Sequence, residues 1–112
     1  MGGGKGQNRR VTAPQEASDI ECRRVVARGV VQGVGFREAC VQRAHALRIT
    51  GWVRNRLDGS VEAVIQGPPA TLDLMCEWLR NGVPGARVDA LQVQPLARPC
   101  RNLGSFERRP TA

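Results

Sequence analysis

Short strand-like patterns and two helical patterns follow one another along this chain, and their order predicts an α+β fold. In the strand-like segments apolar residues alternate with polar ones, whereas in the helical segments they recur every three or four positions. The predicted order is strand, helix, strand, strand, helix, strand, followed by one short extra C-terminal strand. This order corresponds to a ferredoxin-like βαββαβ sandwich, in which two helices cover one face of an antiparallel sheet.

The first half of the chain supplies a strand, a helix and a second strand. Residues 22–28 alternate in character and predict the first strand. The first helix is predicted from Phe36 to Arg48, and its apolar face consists of residues at helical spacing: Phe36, Cys40, Ala44 and Leu47. Residues 49–55 predict the second strand, which ends at Asn55.

The second half of the chain adds a hairpin, a second helix and further strands. The turn at residues 57–60 contains Asp58-Gly59, which is typical of a hairpin between two strands. The segment Gly67-Pro68-Pro69 is predicted to end the third strand and open the second helix, and Asn81-Gly82 to stop it, because proline favours the first turn of a helix and glycine favours its end. The remaining strands are predicted at residues 61–66, 88–94 and 104–109.

Composition divides the chain into a tail and one domain. Residues 1–21 contain a glycine-rich start and lack apolar periodicity, so we expect a flexible N-terminal tail. Residues 22–112 are expected to form a single domain and to be monomeric.

The 17 basic residues outnumber the 10 acidic ones and give a net charge of +7, a balance that favours anionic partners.

The sequence lacks the apolar segments that membrane insertion or export requires. No apolar run approaches the roughly 20 residues of a membrane span, and no hydrophobic signal-peptide core follows Met1. We therefore expect a cytoplasmic protein without a membrane partner.

The cysteines are expected to be free thiols in that compartment. There are four of them, at Cys22, Cys40, Cys76 and Cys100. None belongs to a C-x-x-C pair and the chain has a single histidine, His45, which argues against a zinc site. A bridge between Cys22 and Cys100, on neighbouring strands, stays open as an alternative.

The connection between the first strand and the first helix is rich in glycine. It runs Gly29-Val30-Val31-Gln32-Gly33-Val34-Gly35-Phe36-Arg37. Such a loop lets successive backbone N–H groups converge, and the helix N-terminus adds further N–H groups and the positive end of its dipole. Arg37 adds a planar fork of donors suited to phosphate oxygens. The segment therefore predicts a site for a phosphate-like dianion, against the simpler interpretation of a turn without a ligand.

A second segment carries a related pattern. It runs Gly51-Trp52-Val53-Arg54-Asn55 and continues with Asp58-Gly59, Val61 and Gly67. Together the two segments match G-x-V-Q-G-V-G-F-R and G-W-V-R-N-x-x-x-G-x-V-x-x-x-x-x-G without a gap, and in this they resemble acylphosphatases. The resemblance covers about residues 22–109 and implies the same ferredoxin-like fold.

The resemblance implies an enzyme that hydrolyses the carboxyl–phosphate bond of acyl phosphates to a carboxylate and inorganic phosphate. It implies that Asn55 orients the attacking water, and that the phosphoryl group is bound by Gln32, Gly33, Val34, Gly35, Phe36 and Arg37. The partners it implies are a small-molecule acyl phosphate and, as site ligands, inorganic phosphate or other anions. No metal or other cofactor is expected, because backbone N–H groups and Arg37 can stabilise the phosphoryl charge.

Two other functions stay open at this stage. One is a non-catalytic anion-binding module, such as the acylphosphatase-like domain of larger carbamoyl-transferring maturation proteins. The other is an RNA-binding module, which the charge of +7 suggests. However, the chain has no tyrosine, and neither Phe36 nor Phe106 lies in an aromatic motif for stacking on RNA, so nucleic acid is not an expected partner.

Overall fold

The computed structural model describes residues 20–97 and 104–112 of the chain. The strands are β1 (Glu21–Val30), β2 (Thr50–Asn55), β3 (Val61–Gly67), β4 (Arg87–Pro95) and β5 (Phe106–Arg108), and the helices are α1 (Phe36–Leu47) and α2 (Pro69–Asn81). The predicted α+β, ferredoxin-like fold is confirmed. The predicted N-terminal tail lies outside the described residues, apart from Ile20 and Glu21.

The strands β1 and β4 are both longer than the sequence pattern predicts. β1 continues to Val30 and β4 begins at Arg87, and these two residues pair with each other. The pairing of β1 with β4 continues on both sides of a register shift between Arg28 and Gly29, where β1 is irregular. An irregularity of this kind interrupts the alternation of side chains, so hydrophobic periodicity alone does not reveal the extension.

The five strands lie in the order β4-β1-β3-β2-β5. β3 lies between β1 and β2 and is antiparallel to both, so β1 and β2 run in the same direction and end at the same edge of the sheet. Val61, the first residue of β3, pairs with Ala27 on one side and with Asn55 on the other. β5 pairs in parallel with β2 and extends the sheet at that side. The topology thus brings the glycine loop after β1 near Asn55.

The hydrophobic core lies between the sheet and the two helices. The central strands contribute alternate residues to it, namely Val25, Ala27, Val53, Val61, Ala63 and Ile65. The helices contribute Phe36, Cys40, Ala44, Leu72, Met75, Cys76 and Leu79. Because burying one large aliphatic side chain contributes about 1.5–3 kcal/mol, this layer is the main source of stability.

A buried carboxylate lies on the opposite face of the sheet. Glu62 in β3 is 4% exposed, and its two oxygens accept hydrogen bonds from Arg24 Nε at 2.6 Å and Arg54 Nε at 2.8 Å. A third guanidinium, that of Arg56, lies 3.7 Å away. Burial alone would raise the pKa of Glu62, but the bonds from Arg24 and Arg54 outweigh burial and hold its pKa below the usual value. Glu62 therefore ties β3 to both of its neighbours.

Two of the cysteines are buried free thiols in the helical layer. They are Cys40 in α1 and Cys76 in α2. Burial raises the pKa of Cys40 to about 12, and it also raises the pKa of Cys76. Cys100 lies outside the described residues, and so does the predicted alternative of a bridge between it and Cys22.

Neither helix in the described ranges is long and apolar enough to cross a membrane. Within residues 20–97 and 104–112, no three side chains of histidine, cysteine, aspartate or glutamate form a group that could hold a metal ion.

We predict that replacing Glu62 by glutamine destabilises the fold at neutral pH. The change leaves Arg24 and Arg54 facing a neutral amide, and because these arginines are about one-third exposed we expect a loss of about 2 kcal/mol in the free energy of unfolding. Urea unfolding measures this difference. Glu77→Gln is the matched control, because Glu77 makes an exposed pair with Arg80 at 3.6 Å.

The destabilisation should also depend on pH. Since the folded-state pKa of Glu62 lies below its ordinary value of 4.5, its contribution is complete above that value and is lost as pH falls through the folded-state pKa. The difference in unfolding free energy between the wild type and Glu62→Gln should therefore shrink on acidification. Equal unfolding free energies for the two proteins at neutral pH would contradict the structural role of Glu62.

Candidate functional site

The loop between β1 and α1 requires glycine at two positions. Gly33 and Gly35 have φ angles of 76° and 80°, in the left-handed region that costs other residues about 1–2 kcal/mol. Gly35 is also the N-cap residue of α1, and no side chain caps this helix. Apart from the adjacent residues in the chain, a Cβ atom at either glycine would meet no atom within 4 Å. The requirement therefore comes from backbone conformation rather than from lack of space.

Backbone N–H groups of this loop are available to a ligand. The first hydrogen bond of α1 runs from Ala39 N to Gly35 O at 3.0 Å, so the amides of residues 36–38 precede the intrahelical ladder. Val34 lies between the two left-handed glycines and has a negative φ, since Arg48 is the one non-glycine residue with positive φ in the described chain. Left-handed residues beside residues of negative φ turn successive N–H groups toward one side, which forms an anion-binding nest.

Five of the predicted site residues line one small cavity: Gly33, Gly35, Phe36, Arg37 and Asn55. The other lining residues are Val31, Glu38 and Arg108. The cavity volume is about 110 Å³. A cavity of this volume suits a small group such as a tetrahedral anion with a water molecule.

The other two predicted site residues direct their side chains away from this cavity. Gln32 Nε2 donates to the carbonyl oxygens of Arg56 at 2.8 Å and Ser60 at 2.9 Å, both in the hairpin between β2 and β3. Val34 packs against the hydrophobic core. Any contact of these two residues with a ligand in the cavity would therefore come from their backbone N–H groups.

The hairpin that Gln32 binds is itself ordered by Asp58. The Asp58 carboxylate accepts hydrogen bonds from Ser60 Oγ at 2.6 Å and Ser60 N at 2.9 Å. These bonds, with a smaller effect of Arg28, lower the pKa of Asp58 to about 2. Because Asn55 immediately precedes the hairpin turn, the two bonds from Gln32 fix the glycine loop relative to Asn55.

The backbone of Asn55 is held from both sides. It pairs with Val61 of β3, and its carbonyl oxygen accepts a hydrogen bond from Ala112 N at 3.1 Å. Arg109 N likewise donates to Val53 O at 2.8 Å, so the chain continues along β2 after β5 ends. The position of Asn55 at the cavity is therefore fixed by strand pairing on one side and by the C-terminal segment on the other.

The cavity carries a positive charge. Its lining includes two arginines, Arg37 and Arg108, and one carboxylate, Glu38, which lies 3.6 Å from Arg108 Nη1. Arg37 is half-buried, and none of the ion pairs within the described residues includes it. A half-buried guanidinium beside free backbone N–H groups suits an anion with several oxygens.

The sequence pattern does not predict Glu38 or Arg108 as site residues. Arg108 reaches the cavity because β5 pairs in parallel with β2, where Arg108 is aligned with Val53. The orientation and partner of so short a strand cannot be read from residue spacing. For Glu38 the one signal in the sequence is its position next to Arg37 in the first turn of α1.

Comparison with known proteins finds relatives that match most of the chain. The family model described as Acylphosphatase matches residues 23–107. Acylphosphatase 1 of Ralstonia nicotianae is 50% identical over 96 residues, which cover 86% of this chain and 94% of that protein. An acylphosphatase of Burkholderia vietnamiensis is 64% identical over 69 residues, which cover 62% of this chain and 70% of that protein.

A solved structure shows the same similarity in three dimensions. An acylphosphatase from Coxiella burnetii matches with a TM-score of 0.78 and 33% identity, over 87% of this chain and all of that one. The residues matched by the family model include both the glycine loop and Asn55. The chain therefore belongs to the acylphosphatase family.

Proposed function

We propose that the cavity at the ends of β1 and β2 hydrolyses acyl phosphates, with Asn55 orienting the attacking water. Arg37 and the backbone amides of residues 32–37 bind the phosphoryl group in this proposal. Membership of the family supports acylphosphatase activity. The assignment of roles to residues rests on one observation, which is that the glycine loop, Arg37 and Asn55 line the same small cavity.

Charge and hydrogen-bond donors account for binding of the phosphoryl group. A dianion in the cavity meets the N–H groups of the loop and the positive end of the α1 dipole. Arg37 can donate to two phosphoryl oxygens at once through its planar fork. In the loose transition state of phosphoryl transfer the charge is spread over three equatorial oxygens, and these donors compensate for it. We therefore propose that the reaction needs no metal ion.

Asn55 contributes orientation rather than base catalysis. Its amide can accept one hydrogen bond from water and donate another to a phosphoryl oxygen, but it is not a base at neutral pH. Water attacks phosphorus, the bond from phosphorus to the acyl oxygen breaks, and the carboxylate leaves. In this proposal a phosphoryl oxygen of the substrate takes the proton of the water. Because a carboxylate is a good leaving group, no general acid is required.

Replacing Asn55 by alanine is expected to lower kcat for benzoyl phosphate by about two to four orders of magnitude, because the water loses its orientation. Hydrolysis is measured with the purified chain in the presence of EDTA. Asn81→Ala is the matched control, since Asn81 lies at the end of α2 and binds Glu77 at 2.6 Å. A full rate for Asn55→Ala would refute the role proposed for this residue.

Replacing Arg37 by lysine is expected to remove nearly all turnover in the same assay, because an ammonium group cannot make the bidentate contact. Arg80→Lys serves as the control, since Arg80 is nearly half exposed and pairs with Glu77. Near-normal activity of Arg37→Lys would argue against a bidentate phosphate contact.

A folded wild-type chain that binds phosphate or RNA without any turnover would favour a binding module instead.

Replacing Gln32 by glutamate is expected to reduce turnover because the glycine loop would shift away from the hairpin. A carboxylate would face the carbonyl oxygens of Arg56 and Ser60 in place of a donor, and would separate the loop from the hairpin. A displacement of about 1 Å at the site can lower kcat by about 100-fold. Gln42→Glu, at an exposed position of α1, is the control. Equal rates for Gln32→Glu and the wild type would show that the link has no part in positioning.

A further inference from the structure

We propose that Arg108 forms a second anion subsite at the mouth of the cavity and favours acyl phosphates whose acyl group carries a carboxylate. This inference rests on the proposed function, because it concerns the part of the substrate that leaves as the carboxylic acid. It names a substrate class for the same cavity, defined by charge at the far end of the acyl group.

The sheet register brings Arg108 beside the end of β2. Arg108 is aligned with Val53, and aligned residues on neighbouring strands point to the same face of a sheet. Val53 is 0% exposed in the core beneath the helices, so Arg108 lies on the helical side of the sheet. There it lines the same cavity as Arg37 and Asn55.

The protein holds Arg108 only loosely. Arg108 Nη1 lies 3.6 Å from Glu38 Oε1, and the two side chains are 54% and 53% exposed. Ion pairs with this exposure contribute little to stability, so a carboxylate of a ligand can replace Glu38 at small cost. Glu38 is the one acidic partner of Arg108 in the part of the chain that the structure describes. The guanidinium can bind an incoming carboxylate through two parallel hydrogen bonds.

The lining of the cavity indicates where the acyl group lies. With the phosphoryl group at the glycine loop and Arg37, the acyl group extends toward the exposed part of this small cavity of about 110 Å³. Glu38 and Arg108 are the exposed charged residues of the lining. An apolar acyl group gains little from an arginine there, whereas an acyl group with a carboxylate gains a charge-assisted hydrogen bond.

The neighbouring arginine offers a matched control. Arg109 is the next residue in sequence and carries the same charge, but its guanidinium lies over the ring of Trp52, at 4.9 Å from the ring centre. Trp52 is aligned with Glu107 in the register of β2 and β5, on the face opposite to Arg108. Arg109 is absent from the lining of the cavity.

The test compares succinyl phosphate with butyryl phosphate, whose acyl chains have the same length and differ in the terminal carboxylate. The quantity measured is the ratio of kcat/KM for succinyl phosphate to that for butyryl phosphate. Arg108→Gln is expected to lower this ratio by about tenfold, because the charge-assisted contact is lost. Glu38→Gln is expected to raise the ratio, because the competing carboxylate is gone. Arg109→Gln is expected to keep the wild-type ratio.

The outcomes separate this inference from the function on which it rests. A ratio that falls in Arg108→Gln and rises in Glu38→Gln would support the subsite. If both variants hydrolyse the two substrates with the wild-type ratio, the subsite is overturned and the proposed function stands. If the folded wild type hydrolyses neither substrate nor benzoyl phosphate, the proposed function fails and the subsite inference fails with it.

Discussion

The site depends on the placement of β3 between β1 and β2. Because β3 is antiparallel to both neighbours, the glycine loop and Asn55 meet at one edge of the sheet. Val61 pairs with Ala27 of β1 and with Asn55 of β2, so these two residues are separated by two strand spacings, about 10 Å. Glu62, the next residue, links the same three strands through its hydrogen bonds with Arg24 and Arg54. Gln32 then joins the glycine loop to the hairpin that follows Asn55 through its two hydrogen bonds. One strand and two polar side chains thus determine the geometry of the cavity.

Local patterns in the sequence predict most of the fold and part of the site. The helix α1 is predictable because Phe36, Cys40 and Ala44 recur at helical spacing and are all buried. Gly33 and Gly35 are predictable site residues because the left-handed backbone of the loop requires their residue type. Contacts between distant segments are not predictable in this way. The bonds from Gln32 to the hairpin and the approach of Arg108 to the cavity both depend on which strands are neighbours, which residue spacing does not encode.

The ion-pair partners of each arginine say more about an anionic ligand than the net charge of +7 does. Arg24 and Arg54 bind Glu62, and Arg23 binds Asp73 at 2.8 Å. These guanidiniums are already compensated by carboxylates of the fold. Arg37 differs from them because none of the ion pairs among the described residues includes it, although it is half-buried. A cationic group that the fold leaves uncompensated at a cavity is better evidence of an anionic ligand than an excess of basic residues on the surface.

Substitutions in different parts of the chain should affect activity in two different ways. Every residue to which we assign a contact with the phosphoryl group or the water lies within residues 31–55, whereas α2 and β4 supply core packing and one edge of the sheet. Substitutions in α2 or β4 should therefore act on the fraction of folded molecules and not on the rate of each folded molecule. An anion bound at the cavity would offset such damage by mass action, since it binds the native state. Variation in α2 and β4 should accordingly be limited by foldability alone, whereas variation within residues 31–55 should also be limited by chemistry.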